Sequence, residues 1–143
     1  NLEAAEPFVV QEFCETSGGI DGIVNGRHDL RVYIIDGKQL LFSVRTPASG
    51  GFLANTKAGG SIQFFGIDTL PKEADSLAKK IASRVSVMAE HYFISVDMFL
   101  TSSGWKLIEI NDQPGIPASY QTPLSKGLIE TLVKSLRGAY NEN

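Results

Sequence analysis

Ile94-Ser95-Val96-Asp97-Met98-Phe99-Leu100, Thr101-Ser102-Ser103-Gly104 and Trp105-Lys106-Leu107-Ile108-Glu109-Ile110-Asn111 follow one another without a break. Apolar runs on either side of a Ser-Ser-Gly signal read as strand, turn and strand. A three-residue loop over Ser102 to Gly104, with Gly104 in the left-handed region, is a common hairpin connection. It pairs Thr101 with Trp105, sets Asp97 opposite Glu109 and turns Asn111 to the same face. A two-residue Ser103-Gly104 turn sends the acids to opposite faces instead. Like charges directly opposed across two strands repel, so the first register calls for a cation between them. Two carboxylates and an amide oxygen, with positions left over for water and phosphate, suit Mg²⁺ or Mn²⁺ as metal. A solvated acidic face is the plainer alternative.

The neighbouring residues bear on that choice. Val96, Met98, Leu100, Ile108 and Ile110 are expected to fill the core face, with Phe99, Leu107 and Trp105 beside the acids. A strand with apolar residues on both faces and acids among them reads as the wall of a pocket.

Composition narrows the setting. The chain has 143 residues, 43% hydrophobic and 20% charged, with net charge −3, enough for one modest core and no basic footprint for nucleic acid. No apolar run is long enough to span a bilayer, so no membrane partner is expected. Cys14 is the only cysteine, which excludes an internal disulfide and a cysteine-based zinc site and fits the cytoplasm. Cys14 itself reads as a small apolar residue.

Along the chain, Asn1 to Glu6 read as linker and Pro7 to Cys14 as a strand. Thr16 to Arg27, with its glycines, reads as a loop or irregular ribbon. Asp29 to Ile35 and Gln39 to Arg45 flank Asp36-Gly37-Lys38, a hairpin signal. Thr46 to Gly60 is a long glycine-bearing loop, and Ser61 to Phe65 a short strand. Thr69 or Leu70 is expected to cap one helix, with Pro71 near its first position and the stripe Ala74, Leu77, Ala78, Ile81, Ala82, Val85 and Met88. A second begins at Thr122-Pro123 and carries Leu124, Leu128, Leu132, Leu136 and Tyr140. Before it, Asp112 to Pro117 is rich in turn residues. The order implies an α+β fold: a mainly antiparallel sheet with two helices packed on one side.

Phosphorylated ligands need cations. Arg31 and Arg45 lie on the two strands of the Asp36-Gly37 hairpin. A two-residue turn alone puts them on opposite faces; a three-residue loop or one β-bulge puts both on the face of Asp29. Asn55, Lys57 and Gly59-Gly60 can cradle an anion or form a plain turn. His28 and His91 have no ligand-like spacing and read as structural or solvated.

In order, Gln11-Glu12-Phe13, Asp29-Leu30-Arg31-Val32, Arg45-Thr46-Pro47, Asn55 with Gly59-Gly60, Val96-Asp97, and Leu107-Ile108-Glu109-Ile110-Asn111 with Pro114-Gly115 resemble the C-terminal half of an ATP-grasp domain. The resemblance covers residues 7 to 136 and is closest to glutathione synthetase and to the enzymes that add glutamate to ribosomal protein S6.

The resemblance implies a role for each position. Gln11, Glu12, Phe13 and Cys14 would form a hinge strand at the adenine edge, and Leu107 would pack under the ring. Asp29 or Glu15 would approach the ribose, and Asn55 would help bind the nucleotide. Asp97, Glu109 and Asn111 would hold Mg²⁺ on the ATP phosphates, and Arg31 and Arg45 would be catalytic, stabilising the transferred phosphoryl group. A carboxylate substrate would become an acyl-phosphate and then meet an amine, under a lid formed by Thr46 to Gly60. Residues 7–140 would be the C-terminal half of the domain and 141–143 a tail. The lysine-bearing upstream half has no counterpart here, so a fragment inactive alone is expected. An unpaired edge beside Phe8 would invite a homo-oligomer. A kinase lobe and a non-catalytic nucleotide- or partner-binding module are the alternatives.

Overall fold

The computed structural model describes residues 10, 12–52, 54, 59–115 and 122–141. Five antiparallel strands, β1 (Asp29–Ile35), β2 (Lys38–Thr46), β3 (Ser61–Gly66), β4 (Phe93–Thr101) and β5 (Gly104–Asn111), form one sheet in the order β3-β2-β1-β4-β5. Two helices, α1 (Lys72–Val85) and α2 (Pro123–Asn141), complete it, and a short 3-10 turn at Ile67–Thr69 leads into α1. The α+β class read from the sequence is the one observed.

Alternation along the central strands explains why both faces are covered. Leu30, Val32 and Ile34 of β1 point to one face with Phe42, Val44, Ile94, Val96 and Met98, and pack against α1 through Ala74, Ala78 and Ala82. Small residues one helical turn apart let the helix lie close to the sheet. Tyr33, Ile35 and Leu41 project to the other face and meet Leu128 of α2, with Leu124 and Leu132 beside it. The helices therefore divide between the two faces, which corrects the expectation that both pack on one side. The reason lies in β1, where both odd and even positions are apolar beyond Arg31. A strand of that kind needs a cover on each face.

Other expectations shift locally. The described part of the expected strand from Pro7 to Cys14, Val10 and Glu12–Cys14, has no regular secondary structure; the rest lies outside the described residues. Helix α1 opens at Lys72 with Pro71 as its N-cap, and Met88 falls beyond it and is exposed. In α2 the stripe is fully buried at Leu128 and partly at Leu124 and Leu132, whereas Leu136 and Tyr140 are exposed. The ribbon after Thr16 closes on itself through an Ile20–Val24 bridge and buries Ile20 in the core.

The turn at the tip of β1 and β2 is the two-residue Asp36-Gly37 form, with φ +47° and +78°. Asp36 also ties three elements together. Its carboxylate accepts from the Tyr92 backbone N–H at 2.8 Å, from Ser135 Oγ at 2.5 Å and from His91 Nδ1 at 3.4 Å.

Candidate functional site

Two β-bulges decide which side chains share the site face. In the first hairpin Ile35 pairs with Lys38, yet Tyr33 pairs with Leu41, so Leu40 is an extra residue. The two-residue turn and the bulge are both present, and together they put Asp29, Arg31 and Arg45 on one face. In the second hairpin the turn is Ser102-Ser103, pairing Thr101 with Gly104 and Leu100 with Trp105. This corrects both turns considered from the sequence. An extra residue at Ile108 then restores the parity, so Asp97 still lies opposite Glu109 and Ser95 opposite Asn111.

The altered register moves Trp105 off the acid face and into the α1-side core. Ile108 leaves the core face and lines a cleft instead, and Ile110 is partly exposed on the edge strand.

Cation and carboxylate alternate across four strands. Register sets Arg31 opposite Asp97 and Arg45 opposite Asp29. Arg31 grips Asp97 with a two-pronged contact, Nε to Oδ1 at 2.7 Å and Nη2 to Oδ2 at 2.6 Å. Arg45 donates Nη2 to the same Oδ2 at 2.8 Å and Nε to Asp29 Oδ1 at 2.6 Å. The same Arg31 Nη2 lies 3.9 Å from Glu109 Oε1, and Asn111 Nδ2 donates to that oxygen at 3.1 Å. The cation that two opposed carboxylates require is thus Arg31.

Asp97 is 1% exposed, whereas the Glu109 side chain is 55% exposed. Charge-assisted forks of this kind are short and strong where water is excluded. Burial works against the Arg31 charge, but its hydrogen bonds and proximity to Asp97 outweigh burial and raise its pKa. Asp29 is the looser member of the chain: burial pushes its carboxyl up to about 6, against the pull of Arg45.

Among the described residues no three His, Cys, Asp or Glu side chains gather as a metal cluster. The donor set is instead two carboxylates and one amide, on one face. Hard oxygens of this number fit a divalent ion that keeps several waters. Glu109 and Asn111 meet that test directly. Asp97 meets it only when a guanidinium gives way, since its two oxygens already accept three N–H groups.

Beside the charged row lies a cleft of about 770 Å³. Glu12, Phe13 and Cys14 border one side, Phe52 and Ala54 a second, and β5 closes it with Lys106, Leu107 and Ile108. Asp29 belongs to both cleft and charged row, so the two adjoin. Leu107 reaches the cleft although its register partner is Met98 on the core side, because the bulge at Ile108 interrupts the alternation there. Phe13 meets Phe52 edge-on, with ring centroids 6.2 Å apart, and the Arg27 guanidinium lies 4.6 Å over the Phe52 ring. A second cleft, of about 630 Å³, lies between residues 15–21, the start of α1 and the β4–β5 turn and holds none of the charged row.

Of the residues singled out from sequence, Arg31, Arg45, Asp29, Asp97, Glu109 and Asn111 come together, and Glu12, Phe13 and Leu107 line the adjoining cleft. Glu15 stands apart, held by Arg27, which with the backbone N–H of Ser17 draws its carboxyl down to about 2. Gln11 and Asn55 lie outside the described residues. Lys106 and Phe52 in the cleft were not foreseen; the two-residue Ser102-Ser103 turn explains why Lys106 shares the face of Phe99. His28 is structural as expected: buried, its Nδ1 lies 3.0 Å from the Gly26 carbonyl and its Nε2 accepts from the Leu100 N–H at 3.4 Å.

A family model for the RimK-like ATP-grasp domain matches residues 2–132. A probable alpha-L-glutamate ligase of Shewanella pealeana is 33% identical over 133 residues, covering 90% of this chain and 26% of that protein. Probable alpha-L-glutamate ligase 2 of Hahella chejuensis is 26% identical over 138 residues, 94% of this chain and 40% of its own. The chain thus spans between about a quarter and two fifths of these relatives. Among solved structures, D-alanine–D-alanine ligase from Bacillus anthracis complexed with ATP superposes with a TM-score of 0.51 at 21% identity, over 81% of this chain and 40% of that one. The ATP-grasp ligase PsnB complexed with minimal precursor gives 0.51 at 14% identity, over 88% and 37%. At these identities the two structures show a shared fold.

Proposed function

Because this chain belongs to the RimK-like ATP-grasp family, we propose that residues 7–140 are the C-terminal half of the ATP-grasp domain of an ATP- and Mg²⁺-dependent ligase. The ligase joins a carboxylate to an amine by way of an acyl-phosphate, and this half completes its site only with the upstream half of the same protein. The observation that carries the proposal is the meeting of Arg31 and Arg45 on buried Asp97, next to a cleft with apolar walls. ATP supplies the phosphoryl group that makes the carboxylate electrophilic, and Mg²⁺ neutralises the phosphate oxygens.

The side chains divide the work. Leu107 and Phe13 offer apolar contact to a base, and the chain at Glu12 to Cys14 borders its edge. Asp29 holds Arg45 by Nε and leaves its terminal nitrogens to face the charged row. Arg31 and Arg45 steady charge on the phosphoryl group in transit, a task of positioning and electrostatics. Glu109, Asn111 and Asp97 are the metal ligands. Asn55 helps bind the nucleotide, and the loop from Thr46 to Gly60 is the lid that keeps water from the acyl-phosphate. No side-chain nucleophile is required.

The relatives' names make L-glutamate the first amine substrate to try, with a peptide or small-molecule carboxylate as its partner, and an ATP-consuming reaction of this kind belongs to the cytoplasm. The test uses the full-length protein with MgATP, L-glutamate and a panel of carboxylates. ADP, phosphate and a new amide are the expected products. A phosphoester in place of the amide would replace the ligase with a kinase. Arg31→Met and Arg45→Met should each lower turnover roughly 10²- to 10³-fold; unchanged turnover in both would sink the assignment.

A further inference from the structure

We propose that the Arg31 guanidinium and a divalent cation are alternative occupants of the gap between Asp97 and Glu109, so that the metal binds tightly only once a polyphosphate has drawn Arg31 away. The inference rests on the reading of Asp97, Glu109 and Asn111 as metal ligands.

Register creates the competition. Asp97 has Arg31 opposite it on β1 and Glu109 opposite it on β5, and the Arg31 fork bridges them, 2.6 Å from Asp97 Oδ2 and 3.9 Å from Glu109 Oε1. A carboxylate offers about four lone-pair positions; three N–H groups already take up all but one of those on Asp97. A metal ~2 Å from Asp97, as Mg²⁺ ligation demands, would have to share these oxygens with two guanidinium groups in a buried setting. Like charges so close repel strongly where water is scarce.

Arg31 is the one to yield. Arg45 has a second anchor, its 2.6 Å bond to Asp29, and lies out of ion-pair range of Glu109. Beyond Asp97, Arg31 has the 3.9 Å approach to half-exposed Glu109 and a contact with the neutral Tyr33 hydroxyl, neither of them a short carboxylate anchor like Asp29. A triphosphate offers the freed fork bidentate acceptors, so phosphate and metal each favour the binding of the other.

The probe is Mn²⁺, with binding to the full-length protein followed by electron paramagnetic resonance without nucleotide. Arg31→Ala should bind Mn²⁺ roughly tenfold tighter than the wild type, within the usual range of coupling between sites, and Arg31→Lys should lie between. Equal or weaker binding in Arg31→Ala overturns the inference. Glu109→Gln separates the two levels: if it leaves Mn²⁺ binding untouched, the metal-site reading itself fails. A measurement on the wild type guards against misfolding of the variants. The Arg31 Nε–H resonance should move on adding Mg²⁺ with the β,γ-imido analogue of ATP while that of Arg45 keeps its Asp29 bond. An Arg31 signal unmoved at saturation overturns the inference as well.

Discussion

Arg31 and Asp97 face each other across the β1–β4 ladder, joined by two hydrogen bonds of 2.7 and 2.6 Å, with Asp97 buried and Arg31 nearly so. Removing one member leaves a buried charge without its partner, which costs more than the pair contributes. Asp97→Leu should therefore destabilise the fold by about 3–5 kcal/mol. Adding Arg31→Met to it should recover part of that loss, because Arg45 keeps Asp29. Urea unfolding of the two variants checks this; a double variant no more stable than Asp97→Leu alone would show that the pair is not the source.

The Asp29 carboxyl gives a pH signature. Its pKa rises from an ordinary 3.8 to about 6, burial being the largest cause. A raised carboxyl pKa means the folded state holds its proton more tightly, so the contribution to stability is full below pH 4 and falls as pH climbs to 6. The span corresponds to about 3 kcal/mol. Chemical denaturation at pH 4, 5, 6 and 7 should show Asp29→Asn lacking this decline relative to the wild type. Parallel pH profiles would contradict the assignment.

His28 acts with the opposite sign. Burial is the largest cause lowering its pKa, against hydrogen bonds to the Gly26 and Thr16 backbone that raise it. The stability it confers is complete above about pH 6.5 and is lost as pH falls, because the unfolded chain takes up the proton first. His28→Gln should flatten that acid-side loss. Its imidazole carbon resonances, followed by NMR, should titrate at lower pH than those of the exposed chain in the unfolded state; titration at equal or higher pH would contradict the prediction.

Much of the site was legible because parity along a strand is a property of sequence, and Asp97, Glu109, Asn111, Arg31 and Arg45 fall at spacings that allow one face. What could not be read were the devices that fix the parity. Ser102-Ser103 is a two-residue turn where Gly104 pointed to a longer loop, and the error was cancelled by an extra residue at Ile108. Nothing in Leu107-Ile108 or Leu40-Leu41 marks a bulge, since bulged and regular strands use the same apolar residues; the choice is made by what the two faces must bury. The same holds for α2, whose amphipathic stripe identifies a helix but not the sheet face it covers.

Asp36 should be a sensitive position outside the site although its side chain is not in the core. It holds φ +47° and accepts from Tyr92, Ser135 and His91, so its loss removes a turn former and a junction between β1, β4 and α2 together. Asp36→Ala should cost about 2 kcal/mol. Asp36→Asn, which tolerates positive φ and keeps one acceptor oxygen, should cost less. Thermal melts that rank the two the other way would contradict the account.

Ser43 and Ser95 test the site from beneath. Both are fully buried on its face, Ser43 opposite Arg31 and Ser95 opposite Asn111, and among the described residues neither hydroxyl has a hydrogen-bond partner. A buried hydroxyl without a partner is a cost the fold carries, because its hydration is lost and nothing replaces it. Alanine keeps the small volume that the flanking side chains require and removes the polar atom. Ser43→Ala and Ser95→Ala should therefore be neutral or stabilising by up to ~1 kcal/mol, whereas Ser95→Leu should be destabilising by overpacking. Denaturation midpoints of the alanine variants decide it. A loss above ~1 kcal/mol in either would mean that its hydroxyl is satisfied in solution, and that the floor of the site is wetter than its packing implies.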